Sequence, residues 1–264
     1  MLKSVARIFH SLVLLLLIGT AAGVAYSIRA GASPGSSWPQ VQPGLERRLI
    51  PIYDDKNQQV ESLYVYRLDQ SYFRMEVAFS RVPKSLQAWQ EETNAVIVMN
   101  GGYFSIDNGT YSPDGLTVMN GAASGSSFQG YGGLLAINGD RAELRSLVQQ
   151  PYNPAERLQA ALESFPLLVK PGGGLGFGAE REDGAKARRT VIAQDRDGRI
   201  LLMVAPEGYF TLHELSAYLA SSNLNLDIAL NLDGGGSTGF LLADPREIIP
   251  SKVLLPFVIL VYAR

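Results

Sequence analysis

Two short segments place polar side chains and glycines directly after apolar runs. The two segments read Met99-Asn100-Gly101-Gly102-Tyr103-Phe104 and Asn231-Leu232-Asp233-Gly234-Gly235-Gly236-Ser237-Thr238. Successive glycines allow sharp turns and expose backbone N–H groups, which together form a cradle for phosphate oxygens. Asp233 adds a carboxylate at the same place, and Ser237 and Thr238 add hydroxyl groups. These residue types predict a site that holds an anionic ligand beside a carboxylate.

Each segment also has a purely structural interpretation. Asn100-Gly101 is the commonest sequence signal for a tight hairpin turn. Asp233 before three glycines is compatible with a flexible turn in which the carboxylate bonds its own backbone. The longer segment combines a carboxylate, glycines and hydroxyl groups, and this combination favours a functional role there.

Arg188-Arg189-Thr190 begins a third segment of interest and leads into an apolar strand pattern. An arginine at a strand start can clamp a phosphate with two parallel hydrogen bonds. The alternative is a pair of solvated arginines at a strand end. The preceding glycine-rich stretch, Pro171–Gly184, is long enough to be a lid over a site.

The remaining composition excludes several kinds of catalytic site. The 264 residues contain no cysteine and two histidines, His10 and His213, and His10 lies in the N-terminal apolar region. Disulfides, thiol nucleophiles and histidine-rich metal sites are therefore not expected. The patterns of a P-loop, a dinucleotide-binding loop and a G-x-S-x-G nucleophile elbow are all missing. We predict neither a metal nor a cofactor.

Charge and hydropathy define the class of protein. Hydrophobic residues make up 46% of the chain and charged residues 18%, which is typical of a folded globular protein. Lys and Arg number 23 against 25 Asp and Glu, for a net charge of −2. A nucleic-acid partner is not expected, because such proteins normally carry a basic excess.

The N-terminal region is typical of an export segment. Lys3 and Arg7 precede an apolar run from Leu12 to Ile28, which is short for a membrane-spanning helix of ~20 residues. We predict a signal peptide or membrane anchor over residues 1–29, a Gly/Pro/Ser-rich linker over 30–44 and a single domain over 45–264. The domain would then be extracytoplasmic, as a secreted, periplasmic or outward-facing anchored protein, with membrane contact through the N-terminal segment only.

Hydrophobic patterning indicates many strands and few helices. Helices are predicted at Ser85–Glu92, Pro154–Leu162 and Leu212–Ser221, the last with a capping box formed by Thr211 and Glu214. Strand patterns, among them Ala95–Met99 and Val253–Val261, fill much of the remaining chain. The predicted fold class is α+β: a mixed, mostly antiparallel β-sheet core with a few packed helices.

Five motifs resemble, in their order along the chain, those of the phosphodiester glycosidase family. They are N-G-G-Y-F, D-G-L, R-R-T-V-I-A, T-L-H-E-L-S-A-Y-L and N-L-D-G-G-G-S-T. The resemblance covers roughly residues 60–262 and implies removal of a sugar from a sugar-phosphate diester. It implies that Asn100, Arg189, Asp233 and the Gly234–Thr238 loop line the site. We predict that Asp233 and Asn100 are catalytic. The residues predicted to bind the substrate and its phosphate are Gly101, Gly102, Arg189, Gly234, Gly235, Gly236, Ser237 and Thr238.

The expected function is hydrolysis of the glycosidic bond in a glycosyl phosphodiester, with a carbohydrate-phosphate compound as substrate. Such chemistry needs a cradle for the phosphate and a carboxylate near the anomeric carbon, where positive charge develops. Asp114 and Glu214 are alternative second carboxylates, and Glu214 also fits a capping role. The competing function is a non-catalytic glycan- or phosphate-binding module of the cell envelope.

Overall fold

The computed structural model describes residues 29–30, 37–127 and 132–264. The N-terminal segment predicted as a signal peptide or anchor lies outside the described residues, apart from Arg29. Within the described ranges, no helix has the length and apolar character needed to cross a membrane.

Nearly half of the described residues belong to three antiparallel sheets, whose strands we number along the chain. Sheet I consists of β1 (Arg29–Ala30), β2 (Gln40–Gln42), β3 (Leu45–Tyr53), β4 (Gln59–Leu68), β14 (Leu167–Lys170), β15 (Gly174–Leu175), β16 (Arg189–Asp195), β17 (Ile200–Ala205) and β18 (Leu226–Asn231). Its order is β1-β3-β4-β17-β16-β18-β14-β15, and β2 pairs with β3. The pairs β16–β17 and β16–β18 place β16 at the centre of this sheet.

Two five-stranded sheets and one hairpin complete the strand inventory. Sheet II consists of β9 (Thr117–Met119), β10 (Ala122–Ser124), β11 (Gly133–Asn138), β12 (Arg141–Ser146) and β13 (Ala160–Ser164), in the order β10-β9-β13-β11-β12. Sheet III consists of β5 (Phe73–Lys84), β6 (Ile97–Asn100), β19 (Phe240–Leu242), β20 (Glu247–Ile249) and β21 (Leu255–Ala263), in the order β20-β19-β6-β21-β5. A separate hairpin joins β7 (Phe104–Asp107) to β8 (Thr110–Pro113).

The predicted α+β class is wrong, because helices contribute little to the fold. Strands account for 49% of the described residues and helices for 9%. The described residues contain two α-helices, α1 (Leu86–Thr93) and α2 (Leu212–Ser221), and one 3₁₀ turn at Ala179–Arg181. The protein is mostly antiparallel β-sheet. The expectation of a mostly antiparallel sheet was correct, but that of a mixed core with several packed helices was not.

The predicted helix at Pro154–Leu162 accounts for part of that error. In the structure Pro154 lies in a turn where the Asn153 side chain accepts from the Ala155 N–H at 2.9 Å. The following residues form β13, which is buried between β9 and β11. Leu162 packs into one apolar cluster and Ala161 into another, so the strand is buried on both faces. A strand with two buried faces has no alternating pattern, which is why a short apolar run can be mistaken for a helix.

The three sheets pack around one shared apolar core. That core contains Tyr66 and Ile192 from sheet I, Leu135 from sheet II, and Met99 and Phe257 from sheet III, all buried. The outer face of sheet I is covered by α2, and that of sheet III by α1. Since apolar burial is the dominant favourable term in folding, these contacts fix the three sheets relative to one another. The strand ends that meet at this core carry the candidate site.

Candidate functional site

The two glycine motifs follow strands of different sheets, and the structure brings them together. Asn100 ends β6 of sheet III, whereas Asn231 ends β18 of sheet I. The Asp233 N–H donates to the Gly101 carbonyl at 3.2 Å, which joins the two segments directly. The site therefore lies where the ends of strands from separate sheets converge, a place that no local sequence pattern could reveal.

Asn100 holds this junction together. Its side-chain Nδ2 donates to the Asp233 carbonyl at 2.7 Å and to the Gly101 carbonyl at 3.3 Å. Its Oδ1 accepts from the Thr190 hydroxyl at 2.8 Å and from the Gly239 N–H at 3.1 Å. An asparagine amide has two donor hydrogens and two acceptor lone pairs, so its full capacity is used within the protein. We assign this buried residue a positioning role in place of the predicted catalytic one.

Gly101 and Gly102 are needed for close packing. A Cβ added at Gly101 would lie 3.2 Å from Phe257, and one at Gly102 would lie 3.2 Å from the Glu163 carbonyl oxygen. The Gly101 N–H donates to the Phe257 carbonyl at 2.9 Å and so is not open to a ligand. The strands β6 and β7 on either side of the motif do not pair with each other, so the motif is not a hairpin turn.

Asp233 is half-buried at the end of the β18 segment. Burial raises the pKa of its carboxyl group, and the negative charge of Asp114 raises it further. Hydrogen bonds from the Ser237 hydroxyl and the Gly234 N–H act in the opposite direction, the latter over 2.9 Å. Asp233 thus combines a destabilised carboxylate with donors that orient it, as expected of a group that acts on a bound ligand.

Tyr103 lies between Asp233 and Arg189 and was missed in the sequence. Burial and the charge of Asp233 raise the pKa of its hydroxyl to about 12, against a lowering effect of Arg189. The hydroxyl accepts a hydrogen bond from Asn231 Nδ2 at 2.7 Å. Tyr103 is therefore a neutral phenol at physiological pH, and its own proton remains free for donation to a ligand.

Asn231 and Phe165 position the Tyr103 ring. Besides Tyr103, Asn231 Nδ2 donates to the Phe165 carbonyl at 3.1 Å and to the Leu232 carbonyl at 2.8 Å. The Phe165 ring stacks on the Tyr103 ring with 4.7 Å between centroids. Phe165 follows β13, so sheet II also contributes to the site.

The Gly234–Thr238 loop offers fewer N–H groups than predicted. The N–H groups of Gly234, Gly235 and Ser237 donate to Asp233, Arg188 and Gly234 respectively. Gly235 has a positive φ of 58°, and a Cβ at Gly234 would lie 2.8 Å from the Arg188 carbonyl oxygen. Within the described ranges, the Gly236 and Thr238 N–H groups have no acceptor. Thr238 is fully buried, so the Gly236 N–H is the donor that the loop retains for a ligand.

The two adjacent arginines have different surroundings. Arg188 is buried, and its Nε and Nη2 donate to the carbonyls of Pro206 and Pro250, each at 2.9 Å. Arg189 is half-buried and donates through Nε to Phe210 and through Nη2 to Ala185. Its Nη1 and the second hydrogen of Nη2 have no acceptor in the part of the chain that the structure describes. Of the two, Arg189 is the one that neighbours Tyr103 and can contact a ligand.

Asp114 provides a second carboxylate near Asp233. Its N–H donates to the Tyr103 carbonyl at 2.9 Å, and its Oδ1 accepts from the Ser105 hydroxyl at 2.5 Å. Glu163 holds the turn that follows, because its Oε2 accepts from the Leu116 N–H at 2.9 Å. The Asp114 charge acts on Asp233 itself, so the site contains two carboxyl groups.

Glu214, the other alternative carboxylate, forms the predicted capping box of α2. Its side chain accepts from the Thr211 N–H at 2.9 Å, and the Thr211 hydroxyl accepts from the Glu214 N–H at 3.1 Å. His213 Nδ1 donates to the Phe177 carbonyl at 3.0 Å, and the Ser216 hydroxyl accepts from the Phe177 N–H at 3.0 Å. The glycine-rich stretch predicted as a lid thus packs against α2.

The family model for phosphodiester glycosidases matches residues 93–254, which include every site residue described above. This match spans more than half of the chain. The chain belongs to the phosphodiester glycosidase family. Membership supports a hydrolase of the glycosidase type. Among curated proteins, no sequence matches this one.

Solved structures share the fold of this phosphodiester glycosidase at low sequence identity. The catalytic domain of zebrafish N-acetylglucosamine-1-phosphodiester α-N-acetylglucosaminidase, auto-inhibited by its pro-peptide, has a TM-score of 0.65 at 17% identity, over 90% of this chain and 88% of that chain. A hypothetical protein from Synechocystis has a TM-score of 0.56 at 12% identity, over 92% and 69% of the two chains. A putative exported protein from Burkholderia pseudomallei K96243 has a TM-score of 0.57 at 15% identity, over 76% and 74%.

The predicted site residues of this phosphodiester glycosidase therefore divide into two groups. Asp233, Arg189 and Gly236 retain groups that can meet a ligand. The others serve the protein itself: Asn100, Gly101 and Gly102 hold the junction together, the N–H groups of Gly234, Gly235 and Ser237 donate within the protein, and Thr238 is fully buried. Tyr103 lies in the N-G-G-Y-F motif, and a phenol directly after two glycines was the sequence signal that could have identified it as a site residue. Asn231 precedes the D-G-G-G loop, but its contact with Tyr103 depends on tertiary structure.

Proposed function

We propose that this protein is an exported hydrolase that cleaves the glycosidic bond of a glycosyl phosphodiester and releases a free sugar and a phosphomonoester. Family membership supports the reaction class. The observation that carries the proposal is Asp233, a half-buried carboxylate aimed by Gly234 and Ser237 and placed near the Tyr103 phenol, which in turn neighbours Arg189. A carboxylate there can stabilise the positive charge that develops at the anomeric carbon.

The phosphate would be held by the opposite side of the same site. Arg189 keeps free N–H groups and Gly236 keeps its backbone donor, so the phosphate oxygens have donors around them. The neutral Tyr103 hydroxyl can donate to a further oxygen. The bond between the anomeric carbon and the phosphate oxygen breaks, its electron pair leaves with the phosphate, and water supplies the oxygen of the free sugar.

The alternative is a binding module without catalysis. A binder of an anion gains nothing from Asp233, because a carboxylate repels phosphate. The second carboxyl group, Asp114, increases that repulsion. Two acidic side chains beside the phosphate donors therefore favour an enzyme over a binding module.

Turnover tests this proposal directly. Full-length protein should release free sugar from at least one member of a panel of glycosyl phosphodiesters, and Asp233→Asn should reduce kcat by about 100-fold or more while KM changes little. Asn has the same size as Asp and lacks the buried charge, so the thermal midpoint should stay the same or rise. The binding module would be favoured by a different pair of results: wild-type protein binds these compounds without turnover, and Asp233→Asn binds them equally well or better.

Export and localisation are part of the same proposal. They are supported by the apolar run Leu12–Ile28 behind Lys3 and Arg7. Cell fractionation should place full-length protein outside the cytoplasm and leave a form without residues 1–30 inside it. Finding the full-length protein in the soluble cytoplasmic fraction would contradict export while leaving the proposed chemistry intact.

A further inference from the structure

Exposed apolar side chains lie immediately beside the glycine loop of the site. Val253 and Leu254 are 47% and 58% exposed, and Val82 is 72% exposed. Such residues are ordinary when they are scattered singly over a surface, but a group of them at one place needs an explanation. We name Val82, Val253 and Leu254 the apolar rim.

Contacts with the loop place Val253 of the apolar rim next to Gly236. A Cβ added at Gly236 would lie 3.4 Å from a Val253 methyl carbon. The Lys252 N–H donates to the Gly236 carbonyl at 2.7 Å, which fixes the segment Lys252–Leu254 against the loop. A group that extends from a phosphate bound at Gly236 therefore meets Val253 first.

Strand register brings Val82 to the same end of sheet III. Leu255 pairs with Lys84 and Phe257 with Phe79, so residues 80–83 form a bulge opposite Pro256. The Asn100 end of β6 lies at this edge as well, since Val258 pairs with Asn100. The apolar rim and the junction at Asn100 thus lie at the same end of sheet III.

The charges around the apolar rim complement an amphiphilic anion. The segments 80–84 and 250–256 contain Arg81, Lys84 and Lys252 and no acidic residue. Lys84 is paired with Glu92, whereas Arg81 and Lys252 are exposed and have no ion pair among the described residues. Cations close to the loop suit a phosphate, and valine and leucine side chains suit an alkyl group. They offer no hydrogen bond to a second sugar.

In a glycosyl phosphodiester the aglycone is attached to the phosphate on the side away from the sugar. We propose that the apolar rim binds an apolar aglycone, so that the substrate is a glycosyl phosphodiester of a long-chain alcohol. This inference rests on the proposed function for the orientation of the phosphate. The sugar occupies the side of Asp233 and Tyr103, and the alkyl chain crosses Val253 and Leu254 on its way out.

Binding of simple alkyl phosphates tests the inference without any turnover. Isothermal titration of full-length protein with methyl phosphate and with decyl phosphate, below its micelle concentration, should give at least about ten-fold tighter binding of the longer compound. The double variant Val253→Ser, Leu254→Ser should reduce that preference to about three-fold or less. The control Leu49→Ser changes an equally exposed side chain, 48% exposed on β3, and should keep the full preference.

Equal binding of the two phosphates by wild-type protein, or an unchanged preference in the double variant, would overturn the inference. A second contradicting result concerns membranes. If wild-type protein shows no chain-length preference but binds phosphatidylglycerol vesicles, and the double variant loses that binding, the apolar rim contacts a membrane surface and the inference is also overturned. A preference at the apolar rim together with no hydrolysis of any glycosyl phosphodiester would support the inference and refute the proposed hydrolysis. The two failures are therefore distinguishable.

Discussion

Asp114 lies close enough to Asp233 for its charge to act on the Asp233 carboxyl group. Burial and the Asp114 charge both raise the pKa of Asp233, whereas Ser237 and Gly234 lower it. A raised pKa means that the Asp233 carboxylate forms only at a pH above the ordinary aspartate range. If catalysis depends on the ionisation of Asp233, the acidic limb of the profile of kcat/KM against pH should therefore lie above that range.

Asp114→Asn should move this limb to lower pH. Removing the like charge leaves burial as the main cause of the shift, so the pKa of Asp233 falls. The profile of kcat/KM against pH checks the direction. Ser105→Ala, which removes only the hydrogen bond to Asp114, is the control and should leave the position of the limb nearly unchanged. A limb that stays in place in Asp114→Asn would show that it does not report Asp233.

The neighbouring arginines should respond differently to the same substitution. Arg189→Lys should raise KM for a phosphodiester, because an ammonium does not reproduce the N–H groups of a guanidinium. Arg188→Lys should leave KM nearly unchanged and lower the free energy of unfolding by about 1–3 kcal/mol, since the buried side chain loses its bonds to the Pro206 and Pro250 carbonyls. Kinetics and chemical denaturation of both variants check this difference. An equal rise in KM at both positions would contradict the assignment of Arg189 to the phosphate.

At the scale of single elements, the N-terminus of α2 has a role separate from catalysis. Thr211→Ala should lower the free energy of unfolding by about 1 kcal/mol, because it removes the hydroxyl that accepts from Glu214. Glu214→Gln should keep wild-type turnover, since a glutamine can still cap the helix. Denaturation and activity assays check the pair. A folded Glu214→Gln protein without turnover would make Glu214 catalytic.

Elements with local signals were predictable from sequence. Ser85 and Thr211 are the N-caps of α1 and α2, and the helix predicted at Leu212–Ser221 has those bounds in the structure. In residues 154–162 the local signal was misleading: Pro154 suits a first helical turn, but it lies in a turn and the chain goes on into β13, which is buried on both faces. Caps act over a few neighbouring residues, whereas burial on two faces depends on partners far away in the chain.

The site could be predicted only in part for the same reason. Asp233 and Arg189 were predicted because their residue types and strand-end positions imply a ligand. The role of Asn100 could not be predicted, since its four hydrogen bonds join segments distant in sequence. The reduced number of free N–H groups in the glycine loop depends on Arg188, whose carbonyl accepts from Gly235.

At the scale of the whole molecule, the described part of the predicted linker contacts the domain. Trp38 lies against the Arg67 guanidinium, 3.9 Å from ring centroid to Cζ, and against Arg48 at 5.1 Å. β2 pairs with β3 just after it. The domain boundary at residue 45 is therefore a prediction that a truncation series can test.

A form that begins at Leu45 should be less stable than one that begins at Ser37. The shorter form loses Trp38 and β2, and we expect a decrease of about 2 kcal/mol in the free energy of unfolding. Trp38→Ala in the longer form isolates the contribution of the aromatic side chain. Chemical denaturation of the three proteins provides the measurement. Equal midpoints for both lengths would place the domain boundary at residue 45, as predicted from sequence.

The fate of the oxygen atom from water tests the central claim, hydrolysis at the glycosidic carbon, most directly. Hydrolysis of a glycosyl phosphodiester in water enriched in oxygen-18 is followed by mass spectrometry of both products. The arrangement of Asp233 beside the phosphate donors predicts attack at the anomeric carbon, so the heavy oxygen should appear in the free sugar and not in the phosphomonoester. Asp233→Asn should slow formation of the labelled sugar by about 100-fold or more. Heavy oxygen in the phosphate would mean that the phosphorus–oxygen bond breaks, which would contradict a glycosidase mechanism for this site.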